Sequence, residues 1–394
     1  MSDALELSSL AAFVLDPGLN ATSPTGLKTY PETPVDGDLG ATDLLPFTHE
    51  SLTEAVERSV DPALIGSHAA PPGDVVLRDC SGSIGGRLRF NGWARPFFCS
   101  MGFEYDHSVN GSPADLGSGG YAHLFEMDDA MQDIGYLAGE REAYHANDRK
   151  VRRGQIGLAK QVTDWTFSSC MFNKFTIAGS PQEITTEFDV IPHTLAFGDY
   201  SSDTWTIPAG STGQALFQQT VIELSRRVDA PGSMQIIKAS GFEVGLDNSL
   251  KADDRTTTSS PRIIQPVRGN FRMPTLKISR PRYSAVESDD QLIGYFAADT
   301  EMSAKITITG SLIGGAIYYQ YKLFFPSLFA TGPLGPANSE GPGPLTQEWN
   351  FNAYRPITTD PFAATLYHSI PVQKDSGMIM ILVNEENVNY MAEV

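Results

Sequence analysis

Met171-Phe-Asn-Lys-Phe-Thr-Ile-Ala-Gly-Ser-Pro-Gln-Glu-Ile-Thr-Thr-Glu-Phe-Asp-Val190 is the stretch whose reading decides the fold class. Met171, Phe175 and Ile177 alternate against Phe172, Lys174 and Thr176. After a turn at Gly179, Ser180 and Pro181, the residues Ile184, Thr186, Phe188 and Val190 alternate against Thr185, Glu187 and Asp189. Period-two alternation on both sides of a Gly/Pro turn predicts a β-hairpin with one apolar and one polar face. The polar face carries threonine, lysine and carboxylate, without the histidine, cysteine or amide clusters of an active site. Taken alone, this pattern also fits one hairpin of an ordinary β-sandwich, because alternation reports fold and not function.

Outward from the hairpin the same period recurs. Residues 75–78, 84–90, 97–102 and 121–127 read as strands on the N-terminal side. On the C-terminal side Phe242, Val244 and Leu246 mark one strand face, followed by Leu276 and Ile278, Ile306 and Ile308, Tyr319, Tyr321 and Leu323, and Trp349 and Phe351. Residues 212–224 fit a helix or a strand. Met378-Ile-Met-Ile-Leu-Val383 is continuously apolar and reads as a strand buried on both faces. With 36 glycines and 26 prolines between short apolar runs, the chain is predicted to be mainly β and rich in turns. No repeat of the length that builds propellers or solenoids is visible.

The first 75 residues differ in composition. They hold twelve carboxylates against Lys28 and Arg58, about half of the chain's net charge of −19, and are broken by Pro17, Pro24, Pro31, Pro34 and Pro46. Residues 1–50 are therefore expected to form an extended acidic N-terminal arm with little core of its own, and residues 51–394 a β domain. A short helix is predicted over residues 50–60, where Leu52, Ala55, Val56 and Ser59 share a face behind Thr48 as cap. The one concentrated basic patch is Arg141, Arg149, Lys150, Arg152 and Arg153, set in polar residues that suggest an exposed loop or long hairpin. Arg149, Lys150, Arg152 and Arg153 are the candidate inter-subunit contact, with the acidic arm of another copy as their natural partner by opposite charge.

The net acidity argues against a protein that grips the phosphate backbone. No apolar run reaches the length of a membrane span, and the N-terminus is acidic where a signal peptide is basic, so the chain is expected to stay in the compartment that made it. Cys80, Cys99 and Cys170 are widely spaced and contain no CxxC, which suggests buried free thiols in place of disulfides or a zinc site. There is no phosphate-cradling GxxxxGK[ST], no GxGxxG after a strand, no HExxH and no GxSxG elbow. Seven histidines are scattered singly, and the acid pairs Asp128-Asp129, Asp253-Asp254 and Asp289-Asp290 are better explained as exposed turns than as glycosidase carboxylates.

Several segments resemble, in order, the major tail tube proteins of long-tailed, non-contractile (siphovirus-type) bacteriophages. Ala63-Leu-Ile-Gly66, the run from Val76 to Gly82, Leu88-Arg-Phe90 and Phe97-Phe-Cys-Ser-Met-Gly102 are similar to that family's entry into its first strands. Tyr121-Ala-His-Leu-Phe125, the opening hairpin, Gly241-Phe-Glu-Val-Gly-Leu-Asp-Asn-Ser-Leu250 and the closing Met378 to Asn384 resemble its later strands. The resemblance implies a β-sandwich or barrel-like tail-tube fold with a flanking short helix and long extended arms or loops. It further implies a structural virion protein, without catalysis, metal or cofactor, made in the host cytoplasm and residing in the virion tail. Its copies would form rings stacked into a tube, in contact with tape measure, terminator and tail-tip proteins. Genomic DNA would pass through the lumen without sequence-specific binding, and no membrane is involved. The extra length relative to simple tube subunits is an arm gripping the next ring, an inserted domain or a duplicated tube fold. Two other readings compete: a capsid, decoration or tail-tip protein, or a β-rich carbohydrate-binding protein with a groove carrying Trp93, Trp165, Trp205 or Trp349 beside carboxylates.

Overall fold

The computed structural model describes residues 11–15, 44–59, 73–104, 114–127, 153–160, 163–198, 213–226, 234–251, 262, 267–280, 299–332, 347–354 and 376–388. Among them lie twenty-two strands and one α-helix, and every strand pairing is antiparallel. Two long strands organise the molecule by changing partners along their length. Trp165–Gly179 pairs first with Arg153–Leu158 and Thr194–Phe197, then with Ile184–Ile191 and Gly241–Asp247. Ile317–Thr331 runs against Met302–Gly314, and its other edge serves Ile379–Asn384 at one end and Gln347–Ala353 at the other. A strand that crosses between two sets of partners is how a sandwich turns its corners.

The first layer orders as Asp74–Arg87, Ile184–Ile191, Trp165–Gly179, Gly241–Asp247, Met273–Arg280 and Gln347–Ala353. The second contains Gln235–Ile237, Thr220–Arg226, Met302–Gly314, Ile317–Thr331, Ile379–Asn384 and Gly120–Met127. Inward residues of both layers share one apolar core: Phe175, Ile177, Phe188, Val244 and Ile278 from the first, Ile306, Tyr321, Leu323 and Leu382 from the second. The predicted faces of these strands hold. The closing strand is buried on both sides as its sequence implies, because Ile379, Ile381 and Val383 enter a second, smaller apolar cluster with Leu124 and Phe324.

The sequence placed the helix wrongly. Residues 53–59 form a strand paired with Asp74–Ser81, and the α-helix is Ala94–Met101, overlapping the stretch 97–102 that reads as a strand. Leu52 enters the main core, but the strand that follows is mostly exposed, so Ala55, Val56 and Ser59 have no core to pack on, and antiparallel pairing satisfies the backbone. The helix is buried nearly all round, which erases the amphipathic signature. Its punctuation was present nonetheless: Pro96 lies in the first turn and Gly102, at φ +97°, ends the helix with its N–H donated to the Phe98 carbonyl. Phe97 then stands between the layers, edge-on to Phe175 at 5.3 Å and to Tyr321 at 6.0 Å.

A second correction concerns phase. The register between the hairpin strands slips between Phe172 and Lys174, so Asn173 is a bulge and Phe172, not Met171, joins the main core. The bulge is fastened by polar bonds. The Asn248 N–H donates to the Asn173 carbonyl at 2.7 Å, and Asn173 Oδ1 accepts from the Leu250 N–H at 2.8 Å. Asn248 Nδ2 donates to Phe172 O at 2.8 Å and to Ser100 O at 3.1 Å, joining the bulge to the helix end. Arg272 also donates to the Met101 and Ser100 carbonyls there, placing positive charge at the negative end of the helix. Residues 212–224, which fit either element, resolve into a 3-10 turn at Phe217–Gln219 and the strand Thr220–Arg226.

Candidate assembly and channel surfaces

Because the first layer buries one face against the core, its strands turn the alternate residues outward, and the register aligns them in rows. One row reads Ser83, Asp189, Lys174, Asp247 and Met273. The next reads Gly85, Glu187, Thr176, Gly245, Thr275 and Asn352, and a third Arg87, Thr185, Ala178, Glu243, Lys277 and Asn350. Between the charges stand Gly, Ala, Ser, Thr and Asn, with Met273 at one margin. The face is thus shallow and polar. Carboxylates Glu183, Glu187, Asp189, Glu243, Asp247 and Glu348 outnumber Arg87, Lys174 and Lys277.

The cations are drawn into surface pairs, Lys277 with Glu348 at 3.1 Å and Arg87 with Glu183 at 2.9 Å. Such exposed pairs stabilise by at most about 1 kcal/mol each. They do cancel local positive charge, so the remaining carboxylates set the sign of the face. The Asp189 carboxyl is held above its usual range, chiefly by partial burial, with Lys174 opposing and the charges of Glu187 and Asp247 adding. Crowding of like charge is a property of this surface.

A buried polar cluster lies at the other end of the sequence's organisation. His123 on Gly120–Met127 places Nδ1 2.8 Å from Glu104 Oε1 and Nε2 2.9 Å from the Glu386 carbonyl. Both ring nitrogens face oxygens, an arrangement that suits the doubly protonated imidazolium. Burial pushes the His123 pKa down, but the Glu104 hydrogen bond and charge, aided by Glu386, outweigh it and the net shift is upward. Glu386 Oε1 also accepts from the Gly92 N–H at 2.8 Å, and Asn384 Nδ2 donates to Phe90 O at 3.2 Å. These bonds stitch the chain beyond the closing strand onto the segment that leads into the helix. No spacing rule relates residues 104, 123 and 386, so local pattern carries no sign of the cluster.

Of the candidate contact residues, Arg153 begins the strand Arg153–Leu158 and is 4% exposed. Arg149, Lys150 and Arg152 lie outside the described residues. Arg153–Leu158 has two neighbours: Trp165–Gly179 on one side and, on the other, Ala11–Leu15 from the N-terminal arm. That arm strand also pairs with Leu44–Leu45. The run Ala-Ala-Phe-Val-Leu was the available signal for it, hidden in an otherwise acidic, proline-broken segment.

Among the described residues, the tryptophans sought by a carbohydrate-binding reading do not converge. Trp93 and Trp349 are buried in the core, Trp165 is half-buried, and Trp205 lies outside the described residues. Cys80, Cys99 and Cys170 are buried free thiols, and among the described residues no three His, Cys, Asp or Glu side chains are grouped to hold a metal ion.

Comparison with known proteins agrees with the architecture. No curated protein matches the chain. A family model described as phage tail tube protein matches residues 20–353 of the 394. The match covers most of the chain, its mainly antiparallel β fold is consistent with it, and the protein belongs to the phage tail tube protein family, the structural proteins of phage tails.

Proposed function

We propose that this chain polymerises into stacked rings forming the hollow tail tube through which phage DNA passes, and that the polar rows of the first layer line the channel. The observation that carries the reading is the asymmetry of that layer: aromatic core on one face, and on the other small polar side chains with twice as many carboxylates as cations. Duplex DNA carries one negative charge per ~1.7 Å of axis, and clustered cations would make it adhere. A shallow wall of net negative sign repels phosphates and gives bases little to stack on. Function then lies in self-association, with no catalytic step and no cofactor. The tape measure, terminator and tail-tip proteins are the expected neighbours, and the virion tail is the expected site.

The test is negative-stain electron microscopy of the purified chain at low and high concentration, paired with light scattering. Hollow tubes or stacked rings with a fixed repeat are expected. Featureless particles of monomer mass at every concentration would count against self-assembly by this chain alone.

A further inference from the structure

We propose that the strand Ala11–Leu15 is exchanged between copies, each subunit of the assembled tube receiving this strand from a neighbour; the inference rests on the self-assembly reading above. The acceptor is well defined. Arg153–Leu158 is buried at all six positions, and its edge away from Trp165–Gly179 is covered by Ala11–Leu15 through the partners Ala11–Leu158 to Leu15–Gly154. Without the arm strand, this buried strand would present a bare row of backbone donors and acceptors.

The connection is far longer than an intramolecular path requires. Ala12 is the register partner of Leu44, yet residues 16–43 lie between the two strands, where antiparallel neighbours need 2–5 residues. At about 3.3 Å per residue, those residues can span up to ~90 Å. A chain of this length has an expected radius of gyration of only about 21 Å. The tether therefore reaches a neighbouring acceptor as readily as its own, and the hydrogen bonds made in trans are those made in cis. Exchange turns a contact that seals one subunit into a covalently tethered link between two.

Two full-length variants test this, one carrying Val14→Cys and the other Gln155→Cys, positions that are register partners. Mixed in equal amounts, assembled and oxidised, the two introduced thiols can join to each other only between chains. A linked dimer on a non-reducing gel, absent from wild-type chains whose three cysteines are buried, is the expected result. The pair Ala11→Cys and Leu158→Cys repeats the test at a second position. Absence of a linked dimer with both pairs would overturn strand exchange. Micrographs of the same samples separate the two ideas: tubes without linked dimers defeat exchange alone, and linked dimers without tubes defeat the tube reading alone.

Discussion

His123 Nδ1 lies 2.8 Å from Glu104 Oε1, and neither side chain reaches solvent. The pair holds an imidazolium whose second nitrogen donates to the Glu386 carbonyl. Its raised pKa fixes the sign of a pH effect. The folded state keeps the proton to higher pH than the unfolded chain, whose histidine titrates near ~6.5. The stabilisation is complete below the unfolded value and is lost as pH rises through the folded value. Urea unfolding from pH 5.5 to 9 should therefore show stability falling by up to about 1.4 kcal/mol per pH unit across that window. His123→Asn should remove this slope and lower stability by about 3–5 kcal/mol, since the buried Glu104 would lose the charge and hydrogen bond of the imidazolium. Parallel pH profiles for the two proteins would rule out the charged pair.

Phe97 joins the layers, meeting Phe175 and Phe188 on one side and Tyr321 on the other. Phe97→Ala should cost about 3–5 kcal/mol through lost transfer energy and the cavity left behind. Chemical denaturation followed by tryptophan fluorescence gives the value. A loss below 1 kcal/mol would mean that the core closes around the gap.

Asn248 should matter for a different reason. Asn248→Ala removes the side-chain donor to the buried Phe172 carbonyl and leaves Arg272 as the donor to the Ser100 carbonyl, at a cost of about 1–3 kcal/mol. Asn248→Asp should be worse, because it sets a carboxylate against two carbonyls. Equal stability of the two variants, measured by thermal unfolding, would contradict the assigned donor role.

The basic segment divides into two experiments. Arg149→Ser, Lys150→Ser and Arg152→Ser together should weaken polymerisation while leaving the monomer folded, judged by tube length in micrographs and by circular dichroism. Arg153→Ser should act first on stability, since that side chain is buried within the subunit. Tubes of normal length from the triple variant would remove these residues from the interface.

Reversing charge on the proposed channel wall tests its orientation. Glu187→Lys, Asp189→Lys, Glu243→Lys and Asp247→Lys should give tubes that retain duplex DNA after washing at low salt and release it at high salt, as backbone neutralisation requires. DNA bound on the outside, where nuclease removes it, would place this face on the exterior.

Local alternation was enough to specify the β class, the opening hairpin, the inward faces of most later strands and the doubly buried closing strand. Period two is imposed by backbone geometry within a few residues, and hydrophobic burial selects one phase of it. Three matters required the whole chain. The helix Ala94–Met101 and the strand Thr53–Ser59 traded places because the helix found a core on all sides and the strand found a partner strand. The bulge at Asn173 reversed the expected roles of Met171 and Phe172, and the bonds that hold it come from Asn248 and Leu250. The cluster of Glu104, His123 and Glu386, like the six-stranded acidic face, joins residues far apart in sequence. Side-chain pattern encodes which face of an element is apolar, but packing and register alone decide which element covers it and which charges become neighbours.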